Sequence, residues 1–272
     1  MSEIEEIVHI VPLGHEFDRV VRPFDKLKAN RVYLLTILKE VDIPYVTEEM
    51  AKKQMYFVKL VKDVLEKRGI DVLLEHTNIF DMLDVLKKVS KIIRMEKGKN
   101  NIVYVNMSGA GRLTSVAATL AAMAHGAKVY YVIADRYSKT EEEEMRHGLS
   151  ICEKLRIIYL VNFQIILPDE TSLKLLAKLC TKEKGMKTNE IIQFLKEIGN
   201  EEFDETKYKA KQEKRDERSI KQALLTKLNK KILEKLEHSG YVTREKVGRY
   251  NTIKITEAGR YIAHISGLLD YT

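Results

Sequence analysis

The sequence contains no tryptophan, only two cysteines and four prolines among 272 residues, and no long apolar run. Cys152 and Cys180 lie far apart, without a Cys-x-x-Cys pair or a nearby histidine pattern, which argues against a disulfide framework and a zinc site. No stretch approaches the roughly 20 apolar residues that cross a bilayer, and the acidic start, Met1–Glu6, is unlike a signal peptide. We therefore expect a cytoplasmic protein with no membrane partner and no metal.

Length and charge indicate two domains of different character. A chain of 272 residues, 44% of them hydrophobic, can fill two cores. Residues 1–172 contain 25 Lys and Arg against 25 Asp and Glu, whereas residues 173–272 contain 22 against 15. The entire net charge of +7 therefore lies in the C-terminal hundred residues, which is typical of a nucleic-acid-binding half. Pro168-Asp169 marks the predicted boundary, giving domains 1–168 and 169–272.

The first domain alternates strands and helices. We predict strands at 4–11, 31–38, 71–75, 102–105 and 128–134, with helices between them and one or two further strands within 155–167. This alternation predicts right-handed βαβ units and an α/β, Rossmann-like, doubly wound parallel sheet. Ligands of such sheets bind beyond the carboxyl ends of the strands, where the strand order reverses. Three loops end there: 14–19, 106–112 and 135–139.

The second of these loops contains the strongest local signal. Ser108, Gly109, Ala110 and Gly111 have small side chains, so a ligand can approach the amide groups at the start of the next helix. Arg112 adds a full positive charge. The fragment has neither the third glycine of the dinucleotide fingerprint nor the Gly-Lys-Ser/Thr of a P-loop, so a tight turn with no ligand is the alternative.

Two histidines near the first strand receive different interpretations. His15, in the first loop, is a candidate ligand contact together with Asp18, although a solvated turn residue is the commoner reading of such a histidine. His9 lies within the apolar strand and is interpreted as a core residue whose polar atoms are satisfied.

The second domain has the element order of an α+β winged helix-turn-helix: three helices, a β-hairpin and a closing helix. The predicted elements are helices at 170–181, 188–198 and 219–238, strands at 241–246 and 250–255, and a helix at 256–266. The third helix places Ser219, Gln222, Thr226 and Lys230 away from its apolar side, as a recognition helix requires. In the hairpin, Arg244, Lys246 and Arg249 are candidate phosphate contacts.

A cationic stretch precedes that third helix. Lys207–Arg218 contains six Lys and Arg residues among twelve. In structure, this stretch is either an insertion between the second and third helices or an extension of the third helix. In function, it is either a solvated face or a DNA-contacting arm that includes Arg218.

The whole arrangement resembles the CARF (CRISPR-associated Rossmann fold) domain fused to a C-terminal winged helix, as in archaeal CRISPR-locus transcriptional regulators. The resemblance rests on Pro12-Leu13-Gly14-His15-Glu16 and on Asn106–Arg112, where the commoner family loop is of the Thr-Gly-Gly-Thr type. It implies a homodimer that holds a cyclic oligoadenylate, commonly the tetra-adenylate, between its loops. The implied ligand contacts are Gly14, His15, Ser108, Gly109, Gly111 and Arg112.

Three functions remain open from the sequence. The first is a ligand-responsive regulator that binds double-stranded DNA and carries no resident cofactor. The second is a ring nuclease, since some CARF domains cleave their cyclic ligand, although no base–nucleophile pair is readable here. The third is a DNA-binding module whose pocket is not used.

Overall fold

The computed structural model describes residues 5–37, 46–204, 217–247 and 250–271. The chain divides into two compact units, residues 1–166 and 167–272. The first unit consists of a sheet with helices on both sides, and the second is a small helical unit with its own three-stranded sheet.

Six strands form the main sheet of the first unit in the order β3-β2-β1-β4-β5-β8. The first five pair in parallel, whereas β8 pairs with β5 in antiparallel fashion at the edge. This confirms the predicted Rossmann-like sheet. The strands are β1 (Ile7–Pro12), β2 (Arg31–Thr36), β3 (Asp71–His76), β4 (Ile102–Asn106), β5 (Lys128–Ile133) and β8 (Arg156–Tyr159).

Helices of the first unit begin where side chains can cap them. Thr47 accepts a hydrogen bond from the Met50 N–H at the start of the helix Glu48–Lys67. The next helix begins after Asp81, whose carboxylate caps it by accepting from the N–H groups of Leu83 and Asp84. The helices are α1 (Asp18–Val21), α2 (Glu48–Lys67), α3 (Met82–Gly98), α4 (Arg112–Ala124) and α5 (Glu141–His147).

The segment after β5 is more elaborate than the sequence suggested. A two-residue strand, β6 (Arg136–Tyr137), pairs with β7 (Ser150–Ile151), and α5 lies between them. The predicted loop 135–139 is therefore largely taken up by this pairing, and the Asp135 carboxylate accepts from the Lys154 N–H at 2.9 Å. Of the predicted strand region 155–167, only β8 is a strand.

The second unit has the strand order β10-β11-β9. Apolar side chains of its helices and of this sheet form one core. The elements are α6 (Glu170–Cys180), β9 (Met186–Lys187), α7 (Thr188–Glu197), α8 (Glu217–Leu228), a π-helical turn (Asn229–Leu233), α9 (Glu234–His238), β10 (Val242–Val247), β11 (Tyr250–Ile255) and α10 (Glu257–Ile265).

The π-helical turn explains how one long helix keeps its apolar residues in the core. Ile220, Leu224, Leu228, Ile232 and Leu236 are all buried and are spaced by four residues. In an α-helix each step of four advances about 40° beyond a full turn, so the stripe would drift around the helix. The π-turn contains one residue more than an α-helical turn, so it rotates the following apolar side chains back toward the core.

Candidate functional site

The strand order of the first unit reverses at the pair β1 and β4, which are direct neighbours. The loops that follow these two strands are joined by a main-chain hydrogen bond, in which the Gly14 N–H donates to the Gly109 carbonyl at 2.7 Å. The first two of the three predicted loops therefore meet at the switch point, where such sheets bind ligands.

Ser108 and Gly109 lie inside this junction. Ser108 is only 2% exposed, and its hydroxyl accepts from the Val132 N–H at 2.6 Å. A Cβ on Gly109 would lie 2.5 Å from the Pro12 carbonyl oxygen, so no larger residue fits. Both residues were predicted as ligand contacts; in this structure their side-chain positions are packed within the loop junction.

Gly111 and Arg112 face outward at the start of α4. Gly111 is the N-cap residue, and a Cβ built on it would meet nothing closer than the Thr114 hydroxyl at 4.0 Å. Arg112 is exposed, and no acidic residue lies in the first turn of α4. The partial positive charge of the helix N-terminus is therefore not neutralised by a carboxylate of that turn.

A cavity of about 570 Å³ lies beside this helix start, at the carboxyl ends of the strands. This volume is within the range of small-molecule sites. Gly14, His15 and Gly111 are among the predicted residues that line it. The wall also contains residues that the sequence analysis did not assign to a site: Ile37, Val46, Glu48, Met50, Ala51, Lys52, Gln54, Met55, Ile79, Phe80 and Leu149.

His15 lines the cavity as a half-buried ring. Its Nε2 lies 3.2 Å from the Met50 carbonyl oxygen, and the ring stacks on Phe57 with the centroids 5.9 Å apart. Burial lowers the pKa of His15. The imidazole is therefore suited to neutral hydrogen bonding near pH 7.

Two buried carboxylates hold the first loop in place. Glu16 accepts from both the N–H and the hydroxyl of Ser150, and burial raises its pKa to about 7. Asp18, proposed from the sequence as a possible ligand contact, is 4% exposed and accepts from the Cys152 N–H at 2.9 Å. Asp18 therefore anchors the loop to the segment around β7, away from the cavity.

The second unit has a shallow open face along α8 and the π-turn, lined mainly by polar and charged residues. All five helix residues predicted to contact DNA are exposed on this face. The residues that line it are Arg218, Ser219, Gln222, Ala223, Thr226, Lys227, Lys230 and Lys231. Two flanking cations are already engaged: Lys231 pairs with the Glu202 carboxylate at 2.7 Å, and Lys227 donates to the Glu202 carbonyl at 3.1 Å.

The predicted wing is a β-hairpin formed by β10 and β11. Arg244 donates to the Glu237 carboxylate at 3.1 Å, so part of its charge is compensated within the domain. Lys246 is exposed. Arg249 and positions 207–216 of the cationic stretch lie outside the described residues.

The described residues contain neither a metal-binding cluster nor a membrane-spanning helix. Within these residues no group of three or more His, Cys, Asp and Glu side chains could hold a metal ion. No helix among them is both long and apolar enough to span a bilayer.

Both halves of the chain match family models. Residues 7–137 match the model described as HFX_2341_N-like, N-terminal, and residues 171–267 match the DUF6293 C-terminal winged helix domain. A curated relative from Methanocaldococcus jannaschii, described as an uncharacterized protein, is 24% identical over 159 residues. That match covers 53% of this chain and 45% of the relative, so the chain spans about half the length of the curated relative.

Similar solved structures include two with bound cyclic nucleotides. Can2 from Sulfobacillus thermosulfidooxidans, in complex with cyclic tetra-adenylate, is 12% identical with a TM-score of 0.40, covering 64% of this chain and 46% of that chain. Csm6 from Enterococcus italicus, bound to cyclic hexa-2'-fluoro-hexa-dAMP, is 11% identical with a TM-score of 0.42, covering 72% and 51%.

The sheet order and the C-terminal match define the class: a Rossmann-like parallel α/β domain followed by a winged helix domain. This confirms the arrangement that the sequence resembled. More particularly, the second domain is similar to the DUF6293 C-terminal winged helix domain.

Proposed function

We propose that the protein is a ligand-responsive DNA-binding regulator that senses a cyclic oligoadenylate across a homodimer. The observation that carries this proposal is the presence, in one chain, of a cavity at a Rossmann switch point and a winged helix with a cationic face. The first is where nucleotides bind in such sheets, and the second is the form of a DNA reader.

An anionic ligand fits the rim of the cavity. Gly111 lines the cavity and precedes the N-terminus of α4, whose first turn contains no carboxylate. Helix N-termini favour phosphate because their N–H groups lack partners within the helix, and the exposed Arg112 adds a full charge beside them. We infer that the phosphodiester groups of the ligand bind here.

A homodimer is supported by apolar side chains next to this rim. Leu113 is 61% exposed and Val116 is 48% exposed on the outer side of α4. Burying them against a second copy would remove apolar surface from water and bring two copies of Arg112 near one two-fold axis. A cyclic ligand that is itself symmetric matches such an axis.

DNA binding is supported by the charge and chemistry of the second unit. Ser219, Gln222 and Thr226 present hydroxyl and amide groups that can hydrogen-bond to base edges, and Lys230 is exposed beside them. A dimer would present two winged helices to half-sites about one helical turn, or a multiple of it, apart.

Calorimetric titration of the full chain with cyclic tetra-adenylate, followed by measurement of promoter DNA affinity, tests the proposal. We expect binding by the wild type, a change in DNA affinity with ligand, and binding at least tenfold weaker in Arg112→Ala, because a charged hydrogen-bonding partner of phosphate is lost. Arg94→Ala, which removes an exposed arginine of α3, is the control and should bind like the wild type. No heat with the wild type would overturn the sensing role.

A further inference from the structure

One wall of the cavity in the first unit contains a buried amide. Gln54 lies in α2, is 8% exposed and lines the cavity. A glutamine at such a position needs partners for two N–H donors and for one carbonyl oxygen. Its partners therefore determine which group it can offer to a ligand.

The orientation of the Gln54 amide is fixed by an acceptor. Its Nε2 lies 2.9 Å from the Leu13 carbonyl oxygen and 2.7 Å from the Thr36 hydroxyl oxygen. A carbonyl oxygen can only accept, so the nitrogen must face Leu13 and the amide cannot be flipped. Both N–H groups are therefore engaged within the protein.

The amide oxygen of Gln54 is the group that remains. Among the described residues no donor is bonded to Oε1, and this oxygen is not one of the fully buried atoms without a partner. In a side chain that is otherwise enclosed, it therefore presents an acceptor to the cavity. A bound molecule that displaces water from this oxygen must supply a donor, because an unpaired buried acceptor is costly.

The rest of this wall suits a flat, weakly polar ring. Met50, Met55, Ile79 and Phe80 line the same cavity, and Met55 and Phe80 are each 48% exposed. Aromatic and thioether side chains pack well on the faces of heterocyclic rings. Gly111, at the helix start where phosphate is favoured, lines the same cavity.

We propose that Gln54 selects the base of the ligand by accepting a hydrogen bond from the exocyclic amino group of adenine. The inference rests on the proposed nucleotide-sensing function, and it names the residue that makes the site specific for adenine. Hypoxanthine has nearly the same shape as adenine but carries a carbonyl oxygen in place of that amino group. Two acceptors would then face each other, so the site rejects hypoxanthine.

The test compares cyclic tetra-adenylate with cyclic tetra-inosylate, in which hypoxanthine replaces every adenine, by calorimetry on the wild-type full chain. We expect the inosine ligand to bind about 10- to 100-fold more weakly, as for other sites in which buried polar groups are left unpaired. Equal affinities would overturn the role of Gln54 and leave the proposed function standing. Absence of binding by both ligands would overturn both.

A substitution separates base selection from structural support. Gln54→Met keeps an unbranched side chain of similar length but removes the amide, including the donors to Leu13 and Thr36. We expect the ratio of the two affinities to fall to about one, whatever the effect on each affinity. Gln193→Met, in α7, is the control and should keep the wild-type ratio. If Gln54→Met weakens both ligands equally and keeps the ratio, the amide is structural only and the proposal fails.

Discussion

At the scale of single residues, two glycines of the same loop have different tasks. A Cβ on Gly109 would lie 2.5 Å from the Pro12 carbonyl and 2.9 Å from the Val20 side chain, whereas Gly111 has open space. We expect Gly109→Ala to lower the free energy of unfolding by about 1–3 kcal/mol, as overpacking does. Gly111→Ala is the matched control and should change it by much less. Urea unfolding of both variants measures the difference, and equal losses would contradict this account.

A second prediction concerns how Glu16 makes the stability of the protein depend on pH. Its folded pKa is raised to about 7 by burial, above the ordinary value near 4.5, so the folded state binds the proton more tightly. The contribution of Glu16 to stability is therefore greatest below pH 4.5 and is lost as pH rises to about 7, by roughly 3 kcal/mol. Arg19 and Asp18 also act on this carboxyl, with opposite signs.

The measurement is thermal unfolding of the wild type and of Glu16→Gln between pH 5 and 8. The stability of the wild type relative to the variant should fall with rising pH and level off above pH 7. The buried His9 has a lowered pKa, about 4, and acts in the opposite direction, but it is common to both proteins and cancels. A difference that stays constant with pH would contradict the prediction.

The surroundings of a residue can be predicted from the sequence when they depend on its neighbours in the chain, but not when they depend on residues distant in sequence. His9, predicted as a core residue, is 1% exposed and contacts the Tyr130 hydroxyl at 3.2 Å, because its place in an apolar strand implied burial. The burial of Ser108 and Gly109 was not predicted, since small size alone does not distinguish a packed residue from an open one. Gln54 gave no local signal, because its partners are distant in sequence: Leu13, just after β1, and Thr36, at the end of β2.

At the scale of elements, the helix that lines the cationic face shows a limit of periodicity. An ideal wheel of 100° per residue correctly predicted which side of 219–238 is apolar, but it did not predict the π-turn Asn229–Leu233. The sequence contains a spacing by four with which such a turn is compatible. However, only the packing of Ile232, Leu233 and Leu236 in one core shows where the extra residue is taken up.

A prediction about DNA affinity concerns Glu202, which lies beside the same face. Its carboxylate binds Lys231 and lies 3.7 Å from the Lys227 ammonium, and the hydrogen bond from Lys231 lowers the pKa of Glu202. Glu202 therefore competes with DNA phosphates for two cations. We expect Glu202→Gln to raise DNA affinity about three- to tenfold at low salt and to steepen the salt dependence by about one phosphate contact.

A matched substitution isolates this contact from net charge. Glu183→Gln removes an exposed carboxylate that lies outside the cationic face. Fluorescence anisotropy with one duplex over a range of salt concentrations compares the variants. The prediction fails if the two variants gain equally, because net charge alone would then account for the effect. Stability should barely change, since exposed ion pairs contribute about 0–1 kcal/mol.

At the scale of the whole molecule, the proposed dimer is open to a direct test. Leu113→Glu places a charge on the exposed apolar side of α4, where burial against a second copy would be costly. We expect the wild type to sediment at twice the 31.5 kDa of the chain and the variant at 31.5 kDa, with loss of ligand binding. Met95→Glu, at an exposed apolar position of α3, should remain dimeric. A monomeric wild type would refute the dimer.

Alternation of strands and helices, the charge of the last hundred residues and the hairpin signal were enough to predict both folds. Each of these signals is spread over many residues, so a wrong assignment at a few positions does not change the predicted fold. The cavity was predicted only in part, because its floor combines α2 with the turn after β3, and such distant pairs leave no joint pattern in one sequence.

The bond between the Gly14 N–H and the Gly109 carbonyl involves main-chain atoms alone. It constrains the path of the backbone but does not depend on the side chains of the loop. Only Gly109 is restricted, because a Cβ there would clash with the Pro12 carbonyl oxygen. A side chain beside the junction can therefore be exchanged without removing this hydrogen bond, as long as the new side chain fits the surrounding packing.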